Sequence, residues 1–219
     1  MKRIILALDV YDFYFGRIEK LVQETAPYID VYKVGPILFL RYGEKIMRII
    51  KDNGKEIFLD LKFHDIPATV KLSIESAKEL GVFSLTVHSI GGEDMLMAAT
   101  SVKNRPKIWA VTVLTSQVTT KEEVIKRAKL AKVCGVDGVI SSPLETALIK
   151  KECGKEFDVV TPGIRLEKIN DDQKRVATPE VAIKEGADFI VIGRPVLNAI
   201  NPIETLKDIC NRVEDNLRR

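Results

Sequence analysis

Cysteine and histidine are scarce in this chain of 219 residues, which contains three cysteines and two histidines. Cys134, Cys153 and Cys210 lie far apart, and no pair has the C-x-x-C spacing of redox or zinc motifs. A disulfide framework needs a set of paired cysteines, and a structural zinc site needs four nitrogen or sulfur ligands. The sequence predicts neither of these, and we expect three buried, unreactive thiols.

Long apolar runs are also missing from the sequence. The longest, such as IILAL at 4–8 and VFSLTV at 82–87, fall well short of the roughly 18 residues that a transmembrane helix requires. The chain starts Met1-Lys2-Arg3 like a signal peptide, but Asp9 interrupts the apolar run that follows, and no small-residue cleavage site comes after it. We therefore expect a cytoplasmic protein with no membrane span and no signal peptide.

Neither sign of charge dominates, and no segment has low complexity. Lysine and arginine total 34 against 31 aspartate and glutamate residues, which gives a net charge of +3. No basic cluster is interleaved with aromatic residues, so nucleic acid is a poor candidate partner, whereas a small anionic substrate suits a mildly basic chain. Because no linker or shift in composition marks a boundary, we expect residues 1–219 to form a single domain.

The sequence does contain a regular alternation of short β-branched runs with helical segments. The runs with the length and composition of strands are RIILALD at 3–9, VYKVG at 31–35, EIFLDLK at 56–62, FSLTVHS at 83–89, IWAVTVLT at 108–115, GVDGVIS at 135–141, FDVVTPG at 157–163 and DFIVIG at 188–193. Continuously apolar strands between helices indicate a parallel sheet that is buried on both faces. Eight repeats favour a (β/α)₈ TIM barrel, with an open doubly wound sheet as the alternative.

Helical periodicity fills the segments between these runs. Examples are EKLVQETA at 19–26, EKIMRIIKDNG at 44–54, TVKLSIESAKELG at 69–81 and, as the expected eighth helix, ETLKDICNRVEDNL at 204–217. Gly54 and Gly81 stand where a helix end favours a residue that can adopt a positive φ. The chain is therefore expected to repeat a strand followed by a helix.

Polar residues stand at or just after the end of most predicted strands, where a barrel of this kind has its active site. They are Asp9, Lys33, Asp60, Lys62, His88, Thr115 and Ser116. Asp60 and Lys62 are two apart, so on a regular strand their side chains point to the same face and can meet. Asp65 follows in the loop. A lysine between aspartates stays protonated and can serve as a proton donor to a carbanion or enolate. The alternative is a structural ion pair.

Two glycine-containing stretches after the seventh and eighth predicted strands indicate an anion site. They are TPGIR at 161–165 and IGRP at 192–195, which follow the strands where such barrels commonly bind phosphate. Gly163 and Gly193 allow backbone N–H groups to approach an anion, and Arg165 and Arg194 can grip phosphate oxygens with a planar guanidinium.

The polar segment between these stretches, RLEKINDDQKR at 165–175, is a candidate lid in which Gln173 folds onto the ligand. The alternative is an ordinary surface loop with exposed arginines.

His64 and His88 have a weaker case for catalysis, because no serine or cysteine nucleophile pairs with them in the sequence. A hydrogen-bonded, partly buried position is the favoured interpretation of each histidine. Asp9, Asp60 and Asp65 are possible ligands for Mg²⁺, but Lys62 already supplies a cation among them. The sequence therefore predicts no metal site.

With these residues in place, the sequence resembles the orotidine 5′-phosphate decarboxylase family along its whole length. The motifs that carry the resemblance are LALD at 6–9, KVG at 33–35, DLKFHDIPATV at 60–70, TVH at 86–88, LTS at 114–116, TPGIR at 161–165, DQKR at 172–175 and IGRP at 192–195. The combination of DLKFHDIP with TPGIR and IGRP is highly specific. The resemblance implies decarboxylation of orotidine 5′-monophosphate (OMP) to uridine 5′-monophosphate (UMP), without metal or cofactor.

The same resemblance implies a role for each matched residue. Lys62 is the proton donor to C6 of the pyrimidine after carbon dioxide leaves, and Asp60 lies beside the substrate carboxylate. Family members are homodimers in which the loop after the third strand crosses the interface. The Asp65 side chain of each subunit would therefore join Asp60 and Lys62 in the active site of its partner. The implied substrate-binding residues are Asp9 and Lys33 for the ribose, Thr115 and Ser116 for the pyrimidine, Pro162, Arg165, Gln173, Gly193 and Arg194 on the phosphate side, and Ile66 and Thr69 across the dimer interface.

Two other functions fit parts of the pattern. A decarboxylase of the same superfamily that acts on a keto-sugar phosphate has a similar Asp-x-Lys-x-x-Asp but holds Mg²⁺, and it lacks the combined FHDIP and DQKR motifs. A barrel that binds a phosphate ligand without catalysis is the third possibility, because a fold alone does not fix a function. The complete set of charges argues against such a binding protein.

Overall fold

Eight parallel strands close into a barrel in the computed structural model, which describes residues 3–11, 14–166 and 175–217. The order is β1 to β8, and β1 closes the ring by pairing with both β2 and β8. The strands are β1 Ile4–Ala7, β2 Val31–Val34, β3 Glu56–Phe63, β4 Ser84–His88, β5 Lys107–Val111, β6 Gly138–Ile140, β7 Asp158–Thr161 and β8 Phe189–Ile192. The predicted (β/α)₈ TIM barrel is confirmed, and the open sheet is wrong.

Helices follow every strand and cover the outside of the barrel. They are α1 Phe15–Thr25, α2 Pro36–Tyr42, α3 Glu44–Asp52, α4 Pro67–Glu79, α5 Gly92–Thr100, α6 Lys121–Val133, α7 Thr146–Cys153, α8 Pro179–Lys184, α9 Arg194–Leu197 and α10 Pro202–Leu217. Gly54 and Gly81 have φ of 67° and 60°, as their positions predicted. Among the described residues, no helix combines the length and the apolar character that crossing a membrane would require.

The helix at the end of the chain is α10 rather than the expected eighth helix, because two connections contain an additional short helix. After β2, Gly43 adopts a φ of 51° and separates α2 from α3. After β8, α9 has only four residues, and Pro202 starts a new helix. Proline lacks the N–H group that a continuing helix would need, so a break at this point is expected.

The core has two layers, as a sheet buried on both faces requires. The inner layer fills the barrel and consists of Ile5, Ala7, Val31, Phe58, Trp109, Val160 and Val191. The outer layer packs the strands against the helices and includes Leu6, Val34, Leu85, Ala110 and Val159. Cys134, Cys153 and Cys210 are buried thiols, as predicted.

Aromatic side chains and an ion pair fill the amino end of the barrel. The Trp109 ring lies 4.8 Å from the Phe58 ring and 5.4 Å from the Phe189 ring, centroid to centroid. The indole Nε1 donates to Asp158 Oδ2 at 3.0 Å, and Lys107 Nζ pairs with the same oxygen at 2.7 Å. Because this end is packed, the space for a ligand lies at the carboxyl end.

Several strands are shorter at their carboxyl ends than the apolar runs predicted. β1 ends at Ala7 and β5 at Val111, so Asp9 and Thr115 lie in the loops that follow. Parallel pairing stops where the neighbouring strand no longer offers a partner, a condition that a single run of sequence does not contain. The polar residues therefore project from loop backbone above the barrel.

Candidate active site

A cavity of about 470 Å³ opens at the carboxyl ends of the strands, a volume within the range of small-molecule sites. Most residues predicted from the sequence lie around it. Those that line the cavity are Asp9, Lys33, Asp60, Lys62, Thr115, Ser116, Pro162, Gly163, Arg165, Gly193 and Arg194. These residues come from six separate strands or the loops after them, far apart in the sequence, and the fold brings them to one place.

Four charged side chains form a row of alternating sign along one side of the cavity. Lys33 Nζ lies 2.8 Å from Asp9 Oδ1 and 3.2 Å from Asp60 Oδ2. Lys62 Nζ donates to Asp60 Oδ2 at 2.8 Å. Asp60 and Lys33 are buried at 7% and 8% exposure, where ionic attraction is screened less than at the surface. The row Asp9, Lys33, Asp60, Lys62 is called the charge row below.

Opposing effects set the protonation of the two buried members of the charge row. Burial by itself would raise the pKa of Asp60, but the attraction of Lys33 and Lys62 outweighs burial, and the pKa is lowered. Burial would also lower the pKa of Lys33, yet the Asp60 and Asp9 carboxylates outweigh it, and the pKa is raised. Both side chains are therefore charged at neutral pH.

Asp60 and Lys62 meet through an irregular backbone and not through regular strand alternation. Leu59 pairs with Leu85 and Phe63 pairs with Val87. The segment of β3 between these two pairs therefore contains two more residues than the segment of β4 opposite it, which makes a bulge in β3. Lys62 has a φ of 53°, a conformation that costs a residue other than glycine about 1–2 kcal/mol. Such strained positions occur mainly at functional sites, where the surrounding contacts hold them in place.

Thr86 on β4 is a polar residue of the site to which the sequence interpretation gave no role. Its hydroxyl accepts the backbone N–H of Lys62 at 2.8 Å and donates to Asp60 Oδ1 at 2.9 Å. A signal was available, because TVH at 86–88 was recognised and Thr86 is a polar residue on β4, the strand that pairs with the Asp60 strand. Its hydrogen-bonding partners depend on the bulge in β3, which the sequence did not reveal.

The arginines line the cavity on the strands across from β3. In the ring of eight strands β7 lies directly opposite β3, and β8 is the neighbour of β7. Arg165 follows β7 and is buried at 6% exposure, whereas Arg194 begins α9 and is exposed. Gly163 has a φ of 79°, so the turn that leads to Arg165 favours glycine. A buried Arg165 does not fit the alternative of a surface loop with exposed arginines.

Arg175 fixes the described end of the predicted lid to the rest of the site. Its Nη1 donates to the buried Glu145 carboxylate at 2.8 Å, and its Nη2 donates to the carbonyls of Val113 and Leu114, both at 3.1 Å. Those two carbonyls directly precede Thr115 in the chain. Gln173 and the rest of 167–174 lie outside the described residues.

Apolar side chains that the sequence interpretation did not assign complete the cavity wall. They are Ala7, Ile37, Phe58, Val111, Val113, Leu114, Ile140, Val191 and Leu197. Most of them belong to strands or to the residues that follow directly, so in the sequence they are indistinguishable from core residues. An apolar wall beside a charge row suits a ligand with a flat ring and charged substituents.

Asp65, Ile66 and Thr69 do not line the cavity of their own chain, as far as the described residues form it. They belong to an exposed stretch, 64–69, that leads from β3 into the first turn of α4. Asp65 Oδ1 accepts the backbone N–H of Ile66 at 2.7 Å, and the Ile66 side chain is 65% exposed. The role expected for these three residues across a dimer interface therefore stays a prediction.

The two histidines lie side by side outside the cavity lining, as far as the described residues form it. The rings of His64 and His88 are 5.9 Å apart. Burial, with the nearby charges of His64, Arg127 and Lys62, lowers the pKa of His88, so its ring is neutral at pH 7. Within the described ranges, no group of three His, Cys, Asp or Glu side chains is placed to hold a metal ion.

The pKa shifts predict how the charge row affects stability. Because the pKa of Asp60 is lowered on folding, its stabilising contribution is complete above its unfolded pKa of about 3.9 and is lost as the pH falls through the folded value. The Asp60→Asn variant should therefore melt several degrees below the wild type at pH 7, and this difference should shrink below about pH 4. Thermal unfolding at several pH values measures both.

Glu24→Gln is the matched control for this prediction, because Glu24 forms an exposed pair with Lys20 at 3.7 Å. Exposed pairs contribute little, so its melting temperature should match the wild type at every pH. An Asp60→Asn difference that is as large at pH 3 as at pH 7 would contradict the assignment of the shift to Asp60.

Comparison with known proteins agrees with the resemblance found in the sequence motifs. Residues 2–209 match the family model described as "Orotidine 5'-phosphate decarboxylase / HUMPS family". A curated orotidine 5′-phosphate decarboxylase of Legionella pneumophila is 45% identical over 221 residues, covering 93% of this chain and 96% of that protein. One from Geobacter sp. strain M21 is 41% identical over 233 residues, covering 97% and 96%.

A solved structure shows the same fold over nearly the whole chain. The crystal structure of orotidine 5′-phosphate decarboxylase from Lactobacillus acidophilus superposes with a TM-score of 0.82 at 33% identity, covering 97% of this chain and 99% of that one. The relatives thus bear the name of a carboxy-lyase, and the matches cover nearly the whole length of this chain. This chain belongs to the orotidine 5′-phosphate decarboxylase / HUMPS family.

Proposed function

We propose that this protein converts OMP to UMP and carbon dioxide in pyrimidine nucleotide synthesis, without a metal or cofactor. The observation that carries this function is the charge row, Asp9, Lys33, Asp60 and Lys62, beside a cavity with arginines across the barrel. The curated relatives named above are orotidine 5′-phosphate decarboxylases, which supports the same substrate. In this function residues 1–219 act as one barrel domain in the cytoplasm.

Lys62 is the proton donor in the proposed reaction. The bond between C6 and the carboxylate breaks, carbon dioxide departs, and the electron pair stays on C6, where the ring cannot delocalise it. Nζ of Lys62 then donates a proton to C6 and recovers one from water. Enzymes lower barriers by about 8–23 kcal/mol. The Lys62 ammonium group, which lies 2.8 Å from Asp60 Oδ2, lowers the barrier because it is already in place when negative charge develops on C6.

Asp60 acts on the carboxylate that leaves. Two carboxylates in contact repel each other, and this repulsion disappears as the substrate carboxylate becomes neutral carbon dioxide. The lowered pKa of Asp60, caused by Lys33 and Lys62 against the effect of burial, supports the role because it keeps the side chain ionised. A protonated Asp60 would attract the substrate carboxylate instead.

The order of the strands around the ring supports the proposed placement of the substrate. Asp9 follows β1 and Lys33 lies near the end of β2, and both bind the ribose hydroxyls. Thr115 and Ser116 follow β5, next but one to β3 in the ring, and they bind the pyrimidine beside Lys62. A nucleotide that lies across the opening then directs its phosphate toward β7 and β8.

The phosphate binds among the arginines in this proposal. Arg165 and Arg194 offer planar guanidinium groups that match phosphate oxygens, and both line the cavity. Gly193 lies beside Ala7, where an added Cβ would be 3.4 Å from the alanine Cβ, so the missing side chain keeps that wall open. Pro162 and Gln173 complete the proposed phosphate side, and Gln173 lies outside the described residues.

Lysines occupy the positions where a metal ion would otherwise neutralise the carboxylates. Asp9 and Asp60 each have a lysine Nζ within 3.2 Å. Magnesium prefers oxygen ligands with no competing cation, and two ammonium groups at this distance would repel it. This arrangement supports a reaction that proceeds without metal.

The exposed stretch 64–69 is proposed to contact a second copy of the chain, with Asp65, Ile66 and Thr69 serving the partner's cavity. Ile66 is 65% exposed, and Ile90 nearby is 56% exposed. The two loops are neighbours, because the His64 and His88 rings that precede these residues lie 5.9 Å apart. Apolar side chains exposed together at a loop indicate an interface. A symmetric homodimer would bury both isoleucines and provide each cavity with a third aspartate beside Asp9 and Asp60.

A direct assay tests the proposed reaction. Purified protein should consume OMP, followed by its ultraviolet absorbance, and the rate should be unchanged by excess EDTA because no metal takes part. Lys62→Ala should reduce turnover by at least about a hundredfold, since it removes the proton donor. Lys71→Ala, which changes an exposed lysine on α4, is the matched control and should keep the wild-type rate.

Each other outcome of this assay has a definite meaning. No loss of OMP, followed by turnover of a keto-sugar phosphate with Mg²⁺, would replace the proposed substrate. No turnover of either compound would favour a binding protein. OMP turnover by Lys62→Ala at more than a hundredth of the wild-type rate would overturn the role of Lys62.

Mixed dimers test whether Asp65 serves the partner subunit. Lys62→Ala and Asp65→Ala chains should each be nearly inactive alone, but co-refolding them creates hybrid dimers with one intact cavity. With random pairing, half of the dimers are hybrids, so about one quarter of the wild-type activity should return. Decarboxylation per chain measures the recovery.

The control mixes Lys62→Ala with Asp60→Asn, because both residues belong to the cavity of their own chain. No hybrid of these two has an intact site, so no activity should return. If the Asp65→Ala mixture is as inactive as this control, Asp65 does not act across the interface.

A further inference from the structure

The bulge in β3 leaves the Lys62 backbone without a regular partner in the sheet. The segment of β3 from Leu59 to Phe63 lies opposite the shorter segment of β4 from Leu85 to Val87, so β3 has two extra residues there. A backbone N–H that leaves the ladder still needs an acceptor when it is buried. Here the acceptor is a side chain, because the Thr86 hydroxyl takes the hydrogen bond of Lys62 at 2.8 Å.

The same hydroxyl also orients the Asp60 carboxylate. A threonine hydroxyl has one proton to donate and lone pairs that accept. The Thr86 proton points to Asp60 Oδ1 at 2.9 Å, while Oδ2 of that carboxylate receives Lys62 and Lys33. Thr86 is completely buried, so no water can replace it without rearrangement. One side chain thus fixes the backbone of the proton donor and the plane of the carboxylate beside it.

We propose that Thr86 is a positioning residue for the reaction: its hydroxyl holds Lys62 in the left-handed conformation that aims the ammonium into the cavity, and it holds Asp60 with Oδ2 toward both lysines. It touches neither substrate nor reacting atoms in this role. Without the hydroxyl, the Lys62 N–H and Asp60 Oδ1 lose their partners, and β3 is free to relax toward a regular strand. Such a shift of about 1 Å at a catalytic group is enough to slow a reaction substantially.

The role rests on the proposed decarboxylation, because only that reaction requires Lys62 and Asp60 to be held relative to C6 and its carboxylate. The proposed role also predicts a kinetic effect that simple destabilisation of the fold would not produce. Losing the hydroxyl should lower kcat while leaving KM nearly unchanged, because the ribose and phosphate contacts come from other strands.

Substitutions at Thr86 separate the hydroxyl from the packing of the side chain. Thr86→Val keeps the shape and removes the hydroxyl, and it should lower kcat for OMP by about tenfold or more, with KM within about threefold of wild type. Thr86→Ser keeps the hydroxyl and should stay within about threefold of the wild-type kcat. Thr112→Val is the matched control, because Thr112 is a completely buried threonine whose hydroxyl donates to the Ile140 carbonyl at 3.0 Å.

Thr86→Ser and Thr86→Ala both lack the methyl group and differ in the hydroxyl, so they decide the question even if Thr86→Val does not fold. A serine variant about tenfold or more faster than the alanine variant supports the role. Equal kcat values for the two, with an active wild type, overturn the role of Thr86 and leave the decarboxylation standing. An inactive wild type in the same assay overturns both.

Discussion

The Asp60 carboxylate is the group on which the rest of this site depends. It accepts hydrogen bonds from Lys62 and Thr86 and pairs with Lys33, and Lys33 in turn pairs with Asp9. A buried carboxylate without such partners would take up a proton. With them its pKa is lowered despite burial, because the charges of Lys33 and Lys62 outweigh the loss of solvent. The two buried members, Asp60 and Lys33, thus stay charged because of the opposite charges beside them.

The barrel provides what this arrangement requires, which is a fixed distance between groups that are far apart in sequence. Lys33 and Asp60 lie on β2 and β3, Asp9 lies in the loop after β1, and parallel pairing brings the carboxyl ends of these three strands together. Trp109 and its neighbours pack the other end of the barrel, so the floor below the charge row is filled with side chains. Strain at Lys62 can therefore persist, because the surrounding packing and the Thr86 hydroxyl hold the bulge.

The sequence predicted the barrel because each strand and helix carries a local pattern, and Gly54 and Gly81 marked two helix ends correctly. It also identified most of the charged groups that line the cavity, since polar residues are conspicuous after apolar strands. The bulge at Lys62 and the contacts of Thr86 were not predicted, because they depend on the register between β3 and β4. The apolar wall was missed because residues such as Val111 and Ile140 look like core residues in sequence. The lid, with Gln173, stays a prediction.

The most direct test of the account is hydrogen exchange at C6 of the product. If Lys62 donates the proton to C6, the reverse step on bound UMP must pass through the same carbanion and return the proton to Lys62. Nuclear magnetic resonance of UMP in D₂O should show that the wild type replaces the C6 hydrogen with deuterium and that Lys62→Ala, with UMP bound, does not. Equal exchange rates for the two proteins would contradict the account, because the proton would then come from a group other than Lys62.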